Sequence, residues 1–257
     1  MNTETLDQPI VADVAVSAPA VVIESATPAV AAVAEGPNPF IALGLDGALV
    51  RAVSDLGYTQ PTEVQAKVIP LAMGSGKADE ASIDLMVSSQ TGSGKTAAFL
   101  LPVLNTLIAQ KAIEAAAEQA EFERQRAQAA ASGEAAPKRA KRKNPMQSRN
   151  FKAAVPGALV LCPTRELAQQ VAQDAIELVK HCKNLRVANV VGGMPYQLQI
   201  AKLQNADLVV ATPGRLLDLQ RSLQIKLDKV QFLVVDEADR MLDLGFADDL
   251  EEVHQMT

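Results

Sequence analysis

Gln90-Thr91-Gly92-Ser93-Gly94-Lys95-Thr96 is the most informative stretch of this 257-residue chain. It follows a short aliphatic run, 83–87, that predicts a strand, and it precedes a segment with helical spacing. Glycines in such a loop let backbone N–H groups converge on an anion, and the dipole of the helix N-terminus adds to the attraction. Lys95 would reach the terminal phosphates of a nucleotide, and the Thr96 hydroxyl would bind Mg²⁺. Ser89 stands where the general pattern has its first glycine, and a small residue there permits the same turn.

An ordinary glycine-rich turn is the alternative interpretation, and the strand and helix on either side disfavour it. The similar Gly74-Ser75-Gly76-Lys77 has no preceding strand and no Ser or Thr after its lysine. This second stretch therefore predicts a flexible loop.

Four further apolar runs lie downstream of the loop, and each is followed by a segment with helical spacing. These runs are 158–162, 187–191, 207–211 and 230–235. Continuous aliphatic runs suit strands that are buried on both faces, and alternation with helices is typical of a parallel sheet with crossover connections. The sequence predicts an α/β fold.

The last apolar run leads directly into the acidic tetrad Asp236-Glu237-Ala238-Asp239. In a doubly wound sheet, an acid at the carboxyl end of a buried strand lies beside the phosphate loop. Asp236 could hold Mg²⁺ through water, and Glu237 could orient and deprotonate an attacking water. The alternative is an acidic first helical turn, which the helix dipole favours by under ~1 kcal/mol. The presence of Lys95 and Thr96 upstream favours the catalytic interpretation.

This tetrad resembles the signature of the DEAD-box RNA helicases, and other matches occur in the family's chain order. Residues 57–65 resemble the Q motif, with Phe40 as its upstream aromatic, and 163–168 resemble motif Ia. Gly192-Gly193 resembles the GG doublet, and Thr212-Pro213-Gly214-Arg215 resembles motif Ib. The run 236–246 is similar to the bacterial RhlE-type branch.

The resemblance implies a RecA-like P-loop domain with a parallel sheet flanked by helices. It implies that Lys95, Asp236 and Glu237 are catalytic, and that Thr96 and Asp236 hold Mg²⁺. It implies that the phosphate loop binds ATP, that the Gln65 amide reads adenine and that the Phe40 ring stacks on the base. The implied ATP-binding residues are Phe40, Gln65, Gln90, Thr91, Gly92, Ser93, Gly94, Lys95 and Thr96. It implies sequence-independent contact with the RNA backbone by Pro163, Thr164, Arg165, Gly192, Gly193, Thr212, Pro213, Gly214 and Arg215.

Composition divides the chain into regions. Residues 1–36 hold nine Ala, seven Val, five acids and no Lys or Arg, which predicts a disordered acidic tail. Residues 37–257 form the expected first RecA-like domain, with an Ala-rich, charged insert at about 107–152. The helix that begins near Lys95 is expected to continue into this insert, which ends in the basic run 138–143. Because the whole chain has a net charge of −6, any RNA site must be local.

Downstream of the acidic tetrad, residues 240–257 contain neither the family's Ser-Ala-Thr motif nor its second RecA-like domain. The resemblance therefore predicts a sheet that is incomplete toward the C-terminus and a fragment that is inactive alone. Two other functions stay open: an ATP-independent RNA-binding or regulatory fragment, and a P-loop ATPase acting on DNA. No basic signal region and no run of ~20 apolar residues occurs, so we expect a cytoplasmic protein without a membrane partner. Cys162 and Cys182 are expected to be reduced thiols.

Overall fold

The computed structural model describes residues 38–74, 84–132 and 152–257. The predictions for the 1–36 tail and the basic run 138–143 lie outside these residues. The strands are β1 (Ala158–Leu161), β2 (Val187–Val190), β3 (Leu208–Ala211) and β4 (Phe232–Val235). The helices are α1 (Pro39–Ala42), α2 (Gly47–Asp55), α3 (Glu63–Met73), α4 (Lys95–Ser132), α5 (Arg165–Leu178), α6 (Tyr196–Leu203), α7 (Pro213–Arg221), α8 (Ala238–Asp243) and α9 (Ala247–His254).

The four strands form one parallel sheet in the order β2-β3-β1-β4. Ala158 of β1 is aligned with Leu208 of β3 on one side and with Phe232 of β4 on the other. The four downstream apolar runs are therefore confirmed as strands, each starting or ending within two residues of its predicted bounds. Because the strands are parallel and in register, their carboxyl ends lie together at one edge of the sheet.

The predicted strand at 83–87 is wrong for the part that the structure describes. Residues 84–87 have no strand conformation, and the apolar side chains there are exposed, with Met86 98% exposed. The physical reason is pairing, since a strand forms only beside a hydrogen-bonding neighbour. Among the described residues, β4 pairs with β1 alone, and no strand lies between β4 and the segment that leads to the phosphate loop.

Each face of the sheet is covered by helices. Val160 and Val210 point to the face that packs against α2, α3, α4 and α5. Leu159 and Val209 point to the opposite face, which packs against α6 to α9. Since successive side chains of a strand alternate between faces, burial on both sides requires the continuous aliphatic runs seen in the sequence.

Helix α4 confirms the long helix expected to continue from Lys95. Its first part lies in the core, where Leu100, Leu101 and Leu104 are fully buried. Beyond Lys111 most of its side chains are exposed, and ion pairs such as Arg124 with Glu121 support the helical surface. Of the described helices, only α4 is long and apolar enough to cross a membrane, and 44% of that segment is buried inside the protein.

Candidate active site at the carboxyl ends of the strands

Four of the predicted functional segments, namely motif Ia, the GG doublet, motif Ib and the acidic tetrad, lie at one edge of the sheet because each directly follows a parallel strand. Asp236 follows β4, and its N–H donates to the Leu161 carbonyl of β1 at 2.9 Å. Thr212 follows β3, and its N–H donates to the Val190 carbonyl of β2 at 3.1 Å. These bonds extend the ladder past the named strands. The starts of the acidic tetrad and of motif Ib are therefore fixed to the sheet by backbone hydrogen bonds.

The phosphate loop folds as a tight turn onto the N-terminus of α4. Gly92 and Gly94 have positive φ angles of 79° and 85°, which residues other than glycine rarely adopt. The Ser89 and Ser93 hydroxyls are hydrogen-bonded at 2.7 Å. The Lys95 amine donates to the Ser89 carbonyl and, at 3.1 Å, to the Gln90 carbonyl. The Lys95 amine, which would meet a phosphate, is therefore held against the loop by two carbonyl oxygens. Phosphate oxygens could take the place of these carbonyls.

Helix α3 contacts the phosphate loop through its first turn. Thr62 and Gln65 form a reciprocal capping box, in which Gln65 Oε1 accepts from the Thr62 N–H at 3.0 Å. Gln65 Nε2 donates to the Gly94 carbonyl at 3.2 Å. A Cβ on Gly94 would lie 2.5 Å from Gln65 Nε2, so only glycine fits there. The α3 turn therefore fixes the loop in the conformation that a phosphate group needs.

The two residues expected to meet adenine are placed differently from each other. Gln65 is 3% exposed, and its amide uses one donor and one acceptor site on the capping box and the loop, leaving one of each. Phe40 is 0% exposed and belongs to the core between α2 and α4. The ring has no free face, because the packing of α1 buries it. The geometry therefore does not support the predicted stacking of Phe40 on a base unless α1 moves.

The backbone of Glu237 is strained, and the negative charge of Glu237 acts on the buried Asp236 carboxyl. Burial, and then the negative charge of Glu237, raise the pKa of the Asp236 carboxyl, while the Lys95 amine opposes this rise. This opposition indicates that Lys95 and Asp236 are close enough to interact. Glu237 has a left-handed backbone (φ 52°, ψ 51°), and its carboxylate accepts from Arg240 Nη1 at 3.2 Å. A non-glycine residue in this region is strained, and such strain is common at functional sites.

Cys162 lies beneath these two acids and is fully buried. Burial raises the pKa of the Cys162 thiol to about 12, and the charges of Asp236 and Glu237 add to the rise. The thiol is protonated at neutral pH and acts as an apolar packing group.

The site suits a nucleotide with Mg²⁺ better than a metal held by protein alone. No cluster of three or more His, Cys, Asp or Glu side chains in the described residues could hold a metal ion. Mg²⁺ needs fewer protein ligands than such a cluster, because it keeps several waters and binds one or two carboxylates together with substrate phosphates. Asp236, the Thr96 hydroxyl and the glycine cradle at Gly94 fit that demand.

Arg165 and the glycine pair form one predicted RNA-facing contact. Arg165 opens α5 after β1, and its Nη1 donates to the Gly192 carbonyl at 3.4 Å. Gly193 has φ 81°, and a Cβ there would lie 2.3 Å from Arg165 Nη1. Thr164 caps α5 by accepting from the Leu167 N–H at 3.2 Å. Its hydroxyl therefore stabilises the start of α5.

Arg215 and Gly214 form the second contact, at the start of α7. The Arg215 guanidinium lies 5.8 Å from the ring centre of Tyr196 and 3.9 Å from an Asp218 oxygen. Gly214 is exposed, whereas Pro163 and Pro213 are buried. A buried proline has no N–H to offer and no accessible side chain. The side chains of Pro163 and Pro213 therefore face no solvent in this structure, and their contact with RNA stays a prediction.

Three contributors were missed by reasoning from the sequence. Thr62 is one of them, and its spacing from Gln65 is the Thr-x-x-Gln capping-box pattern that predicts this contact. Ser89 was treated as a substitute for glycine, and its hydroxyl and carbonyl both bind within the loop. Tyr196 stacks under Arg215, and no local pattern predicts a contact between two separate helices.

Comparisons with known proteins agree with this geometry. Residues 62–257 match the model of the DEAD/DEAH box helicase family. The chain is 40% identical over 215 residues to DEAD-box ATP-dependent RNA helicase 52A of Oryza sativa, covering 83% of this chain and 30% of that protein. It is 37% identical to ATP-dependent RNA helicase SrmB of Escherichia coli, covering 83% and 38%.

A solved structure shares the fold. Dbp5 of S. cerevisiae, bound to RNA and ADP BeF3, superposes with a TM-score of 0.59 at 27% identity, covering 85% of this chain and 43% of Dbp5. The expected RecA-like α/β class is confirmed, and the chain spans less than half the length of each of these three proteins. On the match over residues 62–257, this chain belongs to the DEAD/DEAH box helicase family.

Proposed function

We propose that this chain binds ATP with Mg²⁺ and the RNA backbone, and that within a complete helicase it couples ATP hydrolysis to RNA duplex separation. One observation carries the proposal: Asp236 lies at the same sheet edge as the motif Ia, GG and Ib segments, so the predicted nucleotide and RNA contacts are neighbours on one sheet.

The nucleotide half of the proposal assigns a role to each side chain. The phosphate-loop N–H groups bind the phosphates, and the Lys95 amine exchanges the Ser89 and Gln90 carbonyls for phosphate oxygens. Asp236 and Thr96 hold Mg²⁺, which would neutralise charge on the phosphates. Glu237 orients a water and accepts its proton, and the nearby Arg240 must then release the carboxylate. Gln65 has one free donor and one free acceptor with which to read adenine.

The RNA half rests on charge and exposed backbone. Arg165 and Arg215 supply positive charge, and Gly192, Gly193 and Gly214 allow close approach of phosphates. Phosphate contact carries no base information, so we expect sequence-independent and salt-sensitive binding. The solved structure of S. cerevisiae Dbp5 holds RNA and ADP BeF3 together, which supports the pairing of the two ligands in this family.

Two finer assignments are part of the proposal. We infer that residues 37–257 act as the first of two RecA-like domains, the second supplying further groups to the nucleotide. The run 236–246 supports a relationship to the bacterial RhlE-type branch, on its sequence alone.

The proposal is tested by titrating the chain with a fluorescent ATP analogue and Mg²⁺, and separately with single-stranded RNA and DNA. Lys95→Ala should abolish nucleotide binding, whereas Lys67→Ala, which removes an exposed charge paired with Glu63, should not. RNA should compete better than DNA of the same length. Unchanged nucleotide affinity in Lys95→Ala would refute the nucleotide half, and RNA binding without any nucleotide binding would favour a purely RNA-binding fragment. Stronger competition by DNA would favour a DNA-directed ATPase.

A further inference from the structure

The loop between β2 and α6 carries the glycine pair and begins at a buried carbonyl. Val191 is 0% exposed and lies one residue beyond the sheet ladder, whose last bond joins the Thr212 N–H to the Val190 carbonyl. A buried carbonyl needs a donor. Gln199 on α6 supplies it, because its Nε2 donates to the Val191 carbonyl.

Burial of the Gln199 side chain at this position carries a cost in the stability of the folded state. Its side chain is 0% exposed, and its Oε1 has no hydrogen-bond partner among the described residues. A buried acceptor without a partner lowers the stability of the folded state. An apolar side chain of similar length would occupy the same space without that cost. The advantage of glutamine must therefore come from the bond to the loop.

Arg165 holds the next carbonyl of the same loop from the other side. Its Nη1 donates to the Gly192 carbonyl at 3.4 Å and fills the space that a Cβ on Gly193 would occupy. Two successive carbonyls are thus bound by side chains of two different helices. Within the described residues, no acceptor is bonded to the N–H of Gly192 or Gly193. Successive free N–H groups in a turn form a favourable environment for an anion.

We propose that Gln199 is a positioning residue for RNA: by binding the Val191 carbonyl it orients the Gly192 and Gly193 N–H groups toward a backbone phosphate. This inference rests on the proposed RNA binding at this edge of the sheet. Gln199 touches no ligand itself and acts only through the loop.

The test replaces Gln199 with methionine, which has a similar length and no amide. RNA affinity should fall about fivefold, which corresponds to about 1 kcal/mol, while the thermal unfolding midpoint falls only slightly, because the Val191 carbonyl loses its donor and the unpaired Gln199 Oε1 is removed at the same time. In a ¹H–¹⁵N correlation spectrum of the full chain, the Gly192 and Gly193 signals should move while those of β1 stay in place. Ile200→Val is the matched control, because the next residue of α6 packs on the core without a bond to the loop. It should leave both RNA affinity and the glycine signals unchanged.

The outcomes separate the inference from the proposed function. If Arg165→Ala weakens RNA binding and Gln199→Met does not, the positioning role is overturned and RNA binding at this edge stands. If the parent chain binds no RNA, the proposed function fails, and with it the RNA role of Gln199. Unmoved glycine signals in Gln199→Met would also overturn the inference, because Gln199 would then be an ordinary core residue.

Discussion

Gly94 shows how a single residue couples two elements of the nucleotide site. Its φ of 85° is the left-handed region, and the space beside its Cα is occupied by the Gln65 amide and the Thr62 side chain. The Q-motif glutamine is therefore a structural partner of the phosphate loop before any nucleotide binds. Its contact with the loop makes nucleotide binding sensitive to the position of α3.

Gly94→Ala should abolish nucleotide binding and lower the free energy of unfolding by about 2 kcal/mol, from backbone strain and the collision with Gln65. Gly92→Ala is the control, since its φ is 79° but no atom lies within 4 Å of a Cβ there. It should cost only the strain, about 1 kcal/mol. Urea unfolding and nucleotide titration measure both effects. Equal losses in the two variants would contradict the role of the Gln65 contact.

Asp236 makes stability depend on pH. Burial and the charge of Glu237 raise its pKa above the ordinary 3.8, so the folded chain binds this proton more tightly than the unfolded chain. The resulting stabilisation is complete below 3.8 and is lost as the pH rises through the raised pKa. Above that pH the ionised carboxylate lowers the free energy of unfolding, a cost that the proposed Mg²⁺ role of Asp236 would explain.

Asp236→Asn should therefore raise the unfolding midpoint at pH 7 while removing Mg²⁺-dependent nucleotide binding. The gain over the parent should shrink as the pH is lowered toward 4, because the parent carboxyl then becomes neutral. Thermal unfolding at several pH values checks this. Asp243→Asn, at an exposed position on α8, serves as the control and should show no such trend. A gain that is constant with pH would show that charge is not its cause.

Helix α4 is fastened to the sheet where it leaves the core. Lys111 Nζ lies 2.8 Å from Asp207 Oδ1, and Asp207 Oδ2 accepts from the Arg186 N–H at 2.9 Å. Asp207 is 8% exposed and its pairing raises the pKa of Lys111. The first turn of the charged insert is therefore part of the domain, and only the helix beyond it projects.

Lys111→Ala should lower the free energy of unfolding by about 1–2 kcal/mol, because it leaves the Asp207 carboxylate buried with one partner fewer. The loss of unfolding free energy stays this small because the Lys111 side chain is 40% exposed and solvent screens its charge. Glu114→Ala removes the other, exposed partner of Lys111 at 3.7 Å and should have almost no effect. Denaturant unfolding of both variants measures the difference. A Lys111 variant as stable as the parent would mean that the pair contributes nothing to stability.

Elements that bury an apolar surface were predictable from the sequence, and those that depend on a partner were not. The aliphatic runs of β1 to β4 and the helical spacing of α4 follow from local pattern. The run at 83–87 has the same composition as a strand, but its conformation depends on a neighbour that no local pattern reveals. The local pattern does not decide the role of Phe40 either, because an aromatic ring suits both the core and a base. The packing of α1 buries this ring. In the site, the motifs singled out Lys95, Asp236 and Arg165, whose roles stay predictions, while the Gln199 bond joins residues that show no shared pattern.

At the scale of the whole molecule, the two edges of the sheet are unequal. The central strands β1 and β3 are fully buried, and β2 at one edge includes the polar Asn189. β4 at the other edge is entirely apolar, and Val235 is 37% exposed. A short apolar strand with an unpaired edge is a template for pairing with another chain. The active-site edge and the association-prone edge meet at Val235 and Asp236, so association there would also hinder the nucleotide site.

The described chain should therefore self-associate through β4 as its concentration rises, with loss of nucleotide binding per chain. Val235→Lys places a charge on the exposed end of this edge, and charged residues are the usual protection of an unpaired strand. This variant should sediment as a monomer at concentrations where the parent forms larger species. Ile113→Lys is the control, because Ile113 is 70% exposed on the projecting part of α4 and a charge there leaves the sheet edge unchanged. It should associate as the parent does. If sedimentation finds the parent monomeric throughout, or finds both lysine variants equally protected, the edge of β4 is not the contact, and general surface hydrophobicity explains the behaviour better.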